Sequence, residues 1–333
     1  MQGRLNMSDL KWTINSQSFH TDSVGILANH SDTGQSIRLH SEMADLNWAG
    51  KYKITQTADV LKKFLQHYYK TPVLDTAKTD AQQWNLSVLL KPSPLVLAMI
   101  PSLKGSDSVA GNITFNSEKK DLQVHLNADK IQFNNQIIHL LDIHSQSQDT
   151  AINYSISAAD AGKPGFQLYQ TAIYGSVANN KLNTTIHLRD KKLKSNYILS
   201  GVLSQVHHGI KFVFNPDSLL LNYDRWSLPA ENYIQYDSAG IIVRNLKLQH
   251  GNEAIEINSK VVSPTAPIDV RFKHFRIQTL MDFAAQDSVL LDGTINGNAE
   301  VKNILSKPLF TREIHPAFVK QGVAVVHHFP GST

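Results

Sequence analysis

Fifteen histidines are the residues of this chain best suited to hold a metal or move a proton. Their spacing argues against both roles. No His-Glu-x-x-His run occurs. His207-His208 and His327-His328 are adjacent pairs, and adjacent side chains on a strand point to opposite faces. Cysteine is absent, which removes disulfides and thiolate metal sites. No nucleophile-elbow, phosphate-loop or dinucleotide glycine motif occurs; the glycines of "DGTING" (292–297) fall inside a strand pattern, where Gly marks a bulge or close packing. The carboxylates do not pair for acid–base work. Glu253 and Glu256 flank a turn, and Asp9, Asp45, Asp142 and Asp269 sit at polar positions of alternating stretches. Trp12, Trp48, Trp84 and Trp226 are too far apart in sequence to suggest an aromatic platform. Asn112 and Asn183 begin Asn-x-Thr triplets of a kind that polar strands generate by chance. The expectation is a protein that is not an enzyme, with no catalytic residue, no metal and no cofactor.

Composition narrows the partners. The 333 residues are 41% hydrophobic and 18% charged, enough apolar material for a large core or one long sheet. Net charge is +4, from 32 basic and 28 acidic residues, and the isoelectric point is about 9.0. The basic pairs Lys62-Lys63, Lys119-Lys120 and Lys191-Lys192 stand apart and form no stripe, so no nucleic-acid partner is expected. No apolar run is long enough for a membrane-spanning helix. The opening residues, "MQGRLNMSDLKW", lack signal-peptide architecture and read as mid-strand. The expectation is an internal fragment whose export signal or anchor lies outside it.

The informative pattern is alternation with period two, the mark of strands greasy on one face and wet on the other. In "DLQVHLNAD", Leu122, Val124, Leu126 and Ala128 share a face. In "AINYSISA" the same holds for Ile152, Tyr154 and Ile156, and in "IEINSK" for Ile255 and Ile257. "VLLDGTINGNAEV" aligns Val289, Leu291, Gly293, Ile295, Gly297, Ala299 and Val301. Turn chemistry recurs every ~8–12 residues, as in "SDTG" (31–34), "SEKK" (117–120), "ANNK" (178–181), "HHG" (207–209) and "HGN" (250–252). Such connections are too short for the crossovers of a parallel sheet. The fold class expected is mainly β: an elongated antiparallel β-meander, with a few short amphipathic helices.

Three helices are expected. "TADVLKKFLQHYYK" (57–70) starts with Thr57 as N-cap and carries Val60, Leu61, Phe64, Leu65 and Tyr68 on one stripe. "SPLVLAMIPSLK" (93–104) has Pro94 in its first turn and is broken or kinked by Pro101. A short third helix covers 277–286. Residues 1–310 read as one continuous segment. The stretch 311–333 abandons the alternation and reads as a poorly ordered or unrelated tail.

A long one-faced sheet has two uses. Two such sheets can pack face to face as a sandwich, or one can curl into a trough whose greasy side holds a ligand. Strand number favours the trough: some 20–25 strands are expected where ordinary sheets hold about four to six. About 22 strands at ~4.8 Å spacing would reach on the order of 100 Å. The expected architecture is therefore a sheet curled into an open hydrophobic groove, a β-taco.

Three stretches carry a family resemblance. The first is "IRLHSEMADLNWAGKYKITQTADVLKKFLQHYYK" (37–70). The second is "AIYGSVANNKLNTTIHLRDKKLKSNYILSGVL" (172–203), followed by 214–259, where "WSL" at 226–228 precedes "VRNLKLQHGNEAIEI". The third is "LDGTINGNAEVKNI" (291–304). These resemble the TamB family, AsmA-like periplasmic translocation and assembly modules related in architecture to bridge-like lipid transfer proteins. There a strand ending in a Trp step, a short crossing and a strand of this apolar order recur. The resemblance covers about 35–310 and rests on patterns more than on single residues. It implies an elongated β-groove in the periplasm, within an inner-membrane-anchored protein whose anchor is absent from this chain. It implies lipid passage between inner and outer membranes, or outer-membrane protein assembly beside a TamA-like barrel. The chain departs from the family in lacking the membrane helix and the C-terminal domain, and in residues 311–333.

The expected ligand is the acyl chain of a phospholipid, which escapes water at ~0.8 kcal/mol per buried CH2. Candidates for the groove floor are Val124, Leu126, Ile255, Ile257, Val270, Phe272, Leu291 and Ile295; each could equally be ordinary core. The competing readings are a scaffold for outer-membrane protein assembly, whose strand edges receive client strands, and a β-sandwich binding module.

Overall fold

In a computed structural model, the structure describes residues 1–70, 78–163, 166–206, 209–276, 292–305, 309–320 and 323–326. The fold is mainly β: 68% of the chain is strand and 8% helix, too little helix to cover the sheet surface. An 18-stranded antiparallel sheet, not closed into a barrel, is followed by a six-stranded one. Packing divides the stretch read as one segment into two compact units. One holds Met1–Lys163 and Tyr169–Asn180; the other holds Pro164–Leu168 and Lys181–Thr333.

The first unit is a meander of β1 (Gln2–Ile14), β2 (Gln17–Ser31), β3 (Gly34–Ser41), β4 (Ala44–Lys51), β5 (Gln83–Leu90), β6 (Leu103–Ser106), β7 (Val109–Asn116), β8 (Asp121–Phe133), β9 (Gln136–Ser147) and β10 (Ile152–Lys163). Each strand pairs antiparallel with its neighbour from β1 to β5, then β5 with β7, and β7 through to β10. β6 extends the β7 position and pairs with β8. Turn residues and close strand contacts help to set these registers. Asn134, at φ +52°, closes the β8–β9 hairpin in the left-handed conformation that Asn tolerates. Gly50, at φ +146°, lies so close to β5 that an added Cβ would sit 2.3 Å from the Gln83 carbonyl oxygen. Only Gly allows β4 and β5 to pair there.

The helix α1 (Ile54–Tyr68) begins before Thr57, the N-cap expected from sequence. Thr57 lies inside it, its Oγ1 donating to the Lys53 carbonyl at 3.0 Å. The start is held instead by Gln82, which is buried and whose Nε2 donates to the Lys53 carbonyl at 3.2 Å. That tertiary contact has no local sequence signature. The other end is pinned by the Tyr68 hydroxyl, which donates to the Gln148 carbonyl at 3.0 Å. Val60, Phe64 and Tyr68 of the expected stripe are buried, Leu61 packs beside them, and Leu65 faces solvent. They pack on Tyr52, Trp84, Phe115, Leu122 and Ile152. Phe64 meets the Phe115 ring edge-on at 5.3 Å, and Trp48 stacks on Tyr52 at 4.0 Å. The second helix, α2 (Pro94–Met99), ends before Pro101. It lies against both β1 and β6. Flat strands would hold those two ~24 Å apart, well beyond the ~9 Å length of a six-residue helix, so the sheet of this unit curls.

The second unit comprises β12 (Lys181–Arg189), β13 (Ser195–Val206), β14 (Gly209–Phe214), β15 (Leu219–Leu221), β16 (Asp224–Trp226), β17 (Tyr233–Asp237), β18 (Gly240–Arg244), β19 (Leu246–His250), β20 (Glu253–Ser259), β21 (Ile268–Arg276), β22 (Asp292–Lys302), β23 (Leu309–Lys320) and β24 (Val323–Val326). The strand β11 (Phe166–Ala178) lies mostly in the first unit. A core of Leu219, Trp226, Leu228, Val243, Leu246, Ile268 and Phe275 is buried in the second. The expected tail begins as ordinary sheet: β23 pairs with β22 from Leu309 to Val319, and β24 pairs with β23. Its broken alternation, with Pro316 in mid-strand, hid that pairing from a sequence reading. The third expected helix, 277–286, and the turn residues His207 and His208 lie outside the described residues.

If α1 anchors the first unit, Phe64→Ala should cost about 3–5 kcal/mol of unfolding free energy. Leu65→Ala, on the same helix but exposed, should cost less than ~1 kcal/mol. Urea unfolding of the two variants checks the difference.

Candidate functional site

The antiparallel registers of the first unit align apolar residues into rows that cross the sheet. One row runs Leu5, Ile26, Leu39, Leu46, Val88, Gly111, Leu126, Ile143, Ile156, one residue from each of nine consecutive strand positions. No polar side chain interrupts it. Two positions along the strands on the same face, Ala28, Ile37, Trp48, Leu86, Ile113 and Val124 form a parallel row. On the other side run Ala44, Leu90, Val109, Ala128 and Leu141. Eight strand-to-strand steps of ~4.8 Å give the central row a contour of ~38 Å.

Burial along this face is uneven. The α1 helix covers only the end marked by Trp84, Phe115 and Leu122. The α2 helix follows the opposite end of β5. Between them, Ile26, Leu39, Leu46, Val88, Leu126 and Ile143 are all half-buried, and none is buried. Leu5 and Ile156, at the ends of the row, are 51% and 36% exposed. The middle of an ordinary sandwich would be the driest part of its core. Gly111 adds a notch: a Cβ there would lie 2.5 Å from Leu126 Cδ2 and 2.9 Å from Val88 Cγ1, so the flanking side chains close over it.

The opposite face is polar. The row next to the central one on that side reads Arg38, Asn47, Ser87, Asn112, His125, His144, Ser155. Aspartates pair across strands, among them Asp45, one of those expected at polar positions, and Asp160, which the sequence did not single out. Asp45 bonds His40 Nδ1 at 2.5 Å and Lys91 Nζ at 2.8 Å, and Asp160 bonds His139 Nδ1 at 2.7 Å. The Lys91 ammonium, with His40 beside it, holds the Asp45 carboxyl below its usual range despite some loss of solvent.

The floor residues expected from sequence fall into three groups. Leu126 lies in the open central row, whereas Val124 packs against the core under α1. In the second unit, Ile257 faces Leu246 and Val270, and Ile255 faces Leu248 and Phe272. All four of Ile255, Ile257, Val270 and Phe272 are partly buried against the core around Trp226. Ile295 is half-buried and pairs with Phe275. Leu291 lies outside the described residues. The rest of the central row was missed, although every member alternates correctly within its own strand. Summing the strands into a row needs the registers; short turns supply some of them once the hairpins are assigned, but the β4–β5 and β5–β7 pairings join strands separated by α1 and α2.

Chemically, this face can line a run of methylenes; nothing along the central row can accept a proton, ligate a metal or attack a carbonyl. No family model matches the chain, and no curated protein matches it.

The Asp45 contribution to stability is full above the ordinary carboxylate pKa of about 3.9 and is lost as pH falls through the depressed folded-state value. Asp45→Asn should therefore be less stable than the unchanged protein at pH 7, and the gap should narrow at about pH 3. Urea unfolding at the two pH values measures it.

Proposed function

We propose that this chain is a non-enzymatic segment that shelters the acyl chains of phospholipids. On the reading that its sequence resembles the TamB family, it works in the periplasm as part of an inner-membrane-anchored protein, on lipid moving between the inner and outer membranes. The observation that carries the proposal is the apolar central row of the first unit, long, unbroken and half-buried. Open apolar surface on this scale is costly in water unless something covers it. A chain of methylenes laid along Leu39, Leu46, Val88 and Leu126 gains ~0.8 kcal/mol for each CH2 it buries. Because each step along the row exchanges one aliphatic contact for another, the chain slides without meeting a large barrier. The polar opposite face keeps such a sheet in water on its other side.

Native mass spectrometry of the purified chain should find bound phospholipid. Val88→Glu places a charge among the methylenes, at a cost above 1.4 kcal/mol, so retained phospholipid should fall by about tenfold or more. Circular dichroism should remain that of a β protein. A photoreactive side chain at Leu126 should give lipid adducts. Polypeptide adducts there would favour the scaffold for outer-membrane protein assembly, and absence of lipid from the unchanged chain would refute the proposal.

A further inference from the structure

The β8–β9 hairpin carries a second feature on its wet side, facing away from Leu126 and Ile143. The register places His125 directly opposite His144 and puts Asp142 diagonally beside them, opposite Asn127. The two imidazoles stack with centroids 4.0 Å apart and planes 15° from parallel. Both reach the same carboxylate: His125 Nε2 lies 2.9 Å from Asp142 Oδ2, and His144 Nε2 lies 2.6 Å from Asp142 Oδ1. The other cross-strand pairs on this face bring a single imidazole to their carboxylates, as at His40–Asp45 and His139–Asp160. Among the described residues, this is the one group in which three such side chains converge within reach of a common ion, all ligand atoms lying within 4.8 Å of one another.

We propose that His125, Asp142 and His144 form a binding site for a divalent cation of the zinc type. Two imidazole nitrogens and a carboxylate oxygen are a donor set that suits Zn2+, which takes nitrogen at 2.0–2.1 Å and carboxylate oxygen at about 2.0–2.2 Å. Ligand atoms around a tetrahedral ion stand ~3.3 Å apart, so the present cluster needs only a modest rearrangement of three surface side chains. The ion takes the place of the present imidazole–carboxylate contacts. The fourth position stays open to water, because the three side chains are 42%, 37% and 54% exposed. Two ligands on β9 and one on β8 make the ion a staple across the hairpin. It locks the register that sets Leu126 opposite Ile143 on the other face, and the site stands whether or not that face carries lipid.

The test uses the full chain, stripped with a chelator and dialysed against Zn2+ alone. One ion per chain should bind, and the thermal midpoint should rise on loading. His144→Gln and Asp142→Asn should each weaken binding by about tenfold or more and remove the thermal shift. His40→Gln, which alters the separate His40–Asp45 pair on β3 and β4, should leave both readouts unchanged. All three positions are solvent-facing, and circular dichroism of the metal-free variants confirms that they fold. The inference is overturned if the unchanged chain binds no stoichiometric Zn2+, or if binding survives in both His144→Gln and Asp142→Asn.

Discussion

Strand register is the constraint on which this structure depends. Each strand of the first unit alternates apolar and polar residues, and alternation alone makes only isolated stripes. The ladder of antiparallel pairs turns those stripes into rows, setting Leu39 beside Leu46, Val88 beside Gly111 and Leu126 beside Ile143. A slip of one residue anywhere would rotate that strand and put its polar set on the apolar face. Short turns such as the one at Asn134, in the left-handed region, and close strand approach at Gly50 inside β4, where no side chain fits, oppose the slip.

Register also explains why the two sides of one hairpin can do different things. Residues of one parity on β8 and β9 build the apolar row; those of the other parity bring His125, His144 and Asp142 together. Stability comes from elsewhere. In the first unit it is concentrated under α1, where Phe64, Tyr68, Trp84 and Phe115 are buried. In the second it is concentrated around Trp226 and Phe275, whose rings lie 5.7 Å apart. With dry packing under α1 at one end of the first unit's sheet and around Val24, Leu95 and Ala128 at the other, the middle of its apolar face is left half-open.

The strands were legible in the sequence because period-two alternation is a local signal, and so was the apolar stripe of α1. The start of α1 was not, because Gln82 holds it from outside the helix. The strand at Leu309–Lys320 was hidden by its irregular pattern. Of the candidate floor, Leu126 could be picked from its own strand, but Ile26, Leu39 and Val88 belong to the site only through pairings between strands. Ile255, Ile257, Val270 and Phe272 show the converse: their alternation is equally clean, yet they pack against a buried core. The pattern tells which side is apolar and does not tell what covers it. The histidine cluster escaped for the same reason. A search for ligands close in sequence passes over His125 and His144, which only the hairpin joins.

The central claim is that the apolar row of the first unit is reachable from solution and is covered by a mobile ligand. The chain has no cysteine, so a single introduced thiol reports its own surroundings. The most direct measurement is the rate at which Leu126→Cys in the folded chain reacts with a small maleimide, with and without added phospholipid. The account predicts rapid labelling of the lipid-free chain, slowed when phospholipid binds, while Phe115→Cys in the dry core stays unreactive. Labelling of Leu126→Cys as slow as that of Phe115→Cys would mean that protein already covers the row, and would contradict the account.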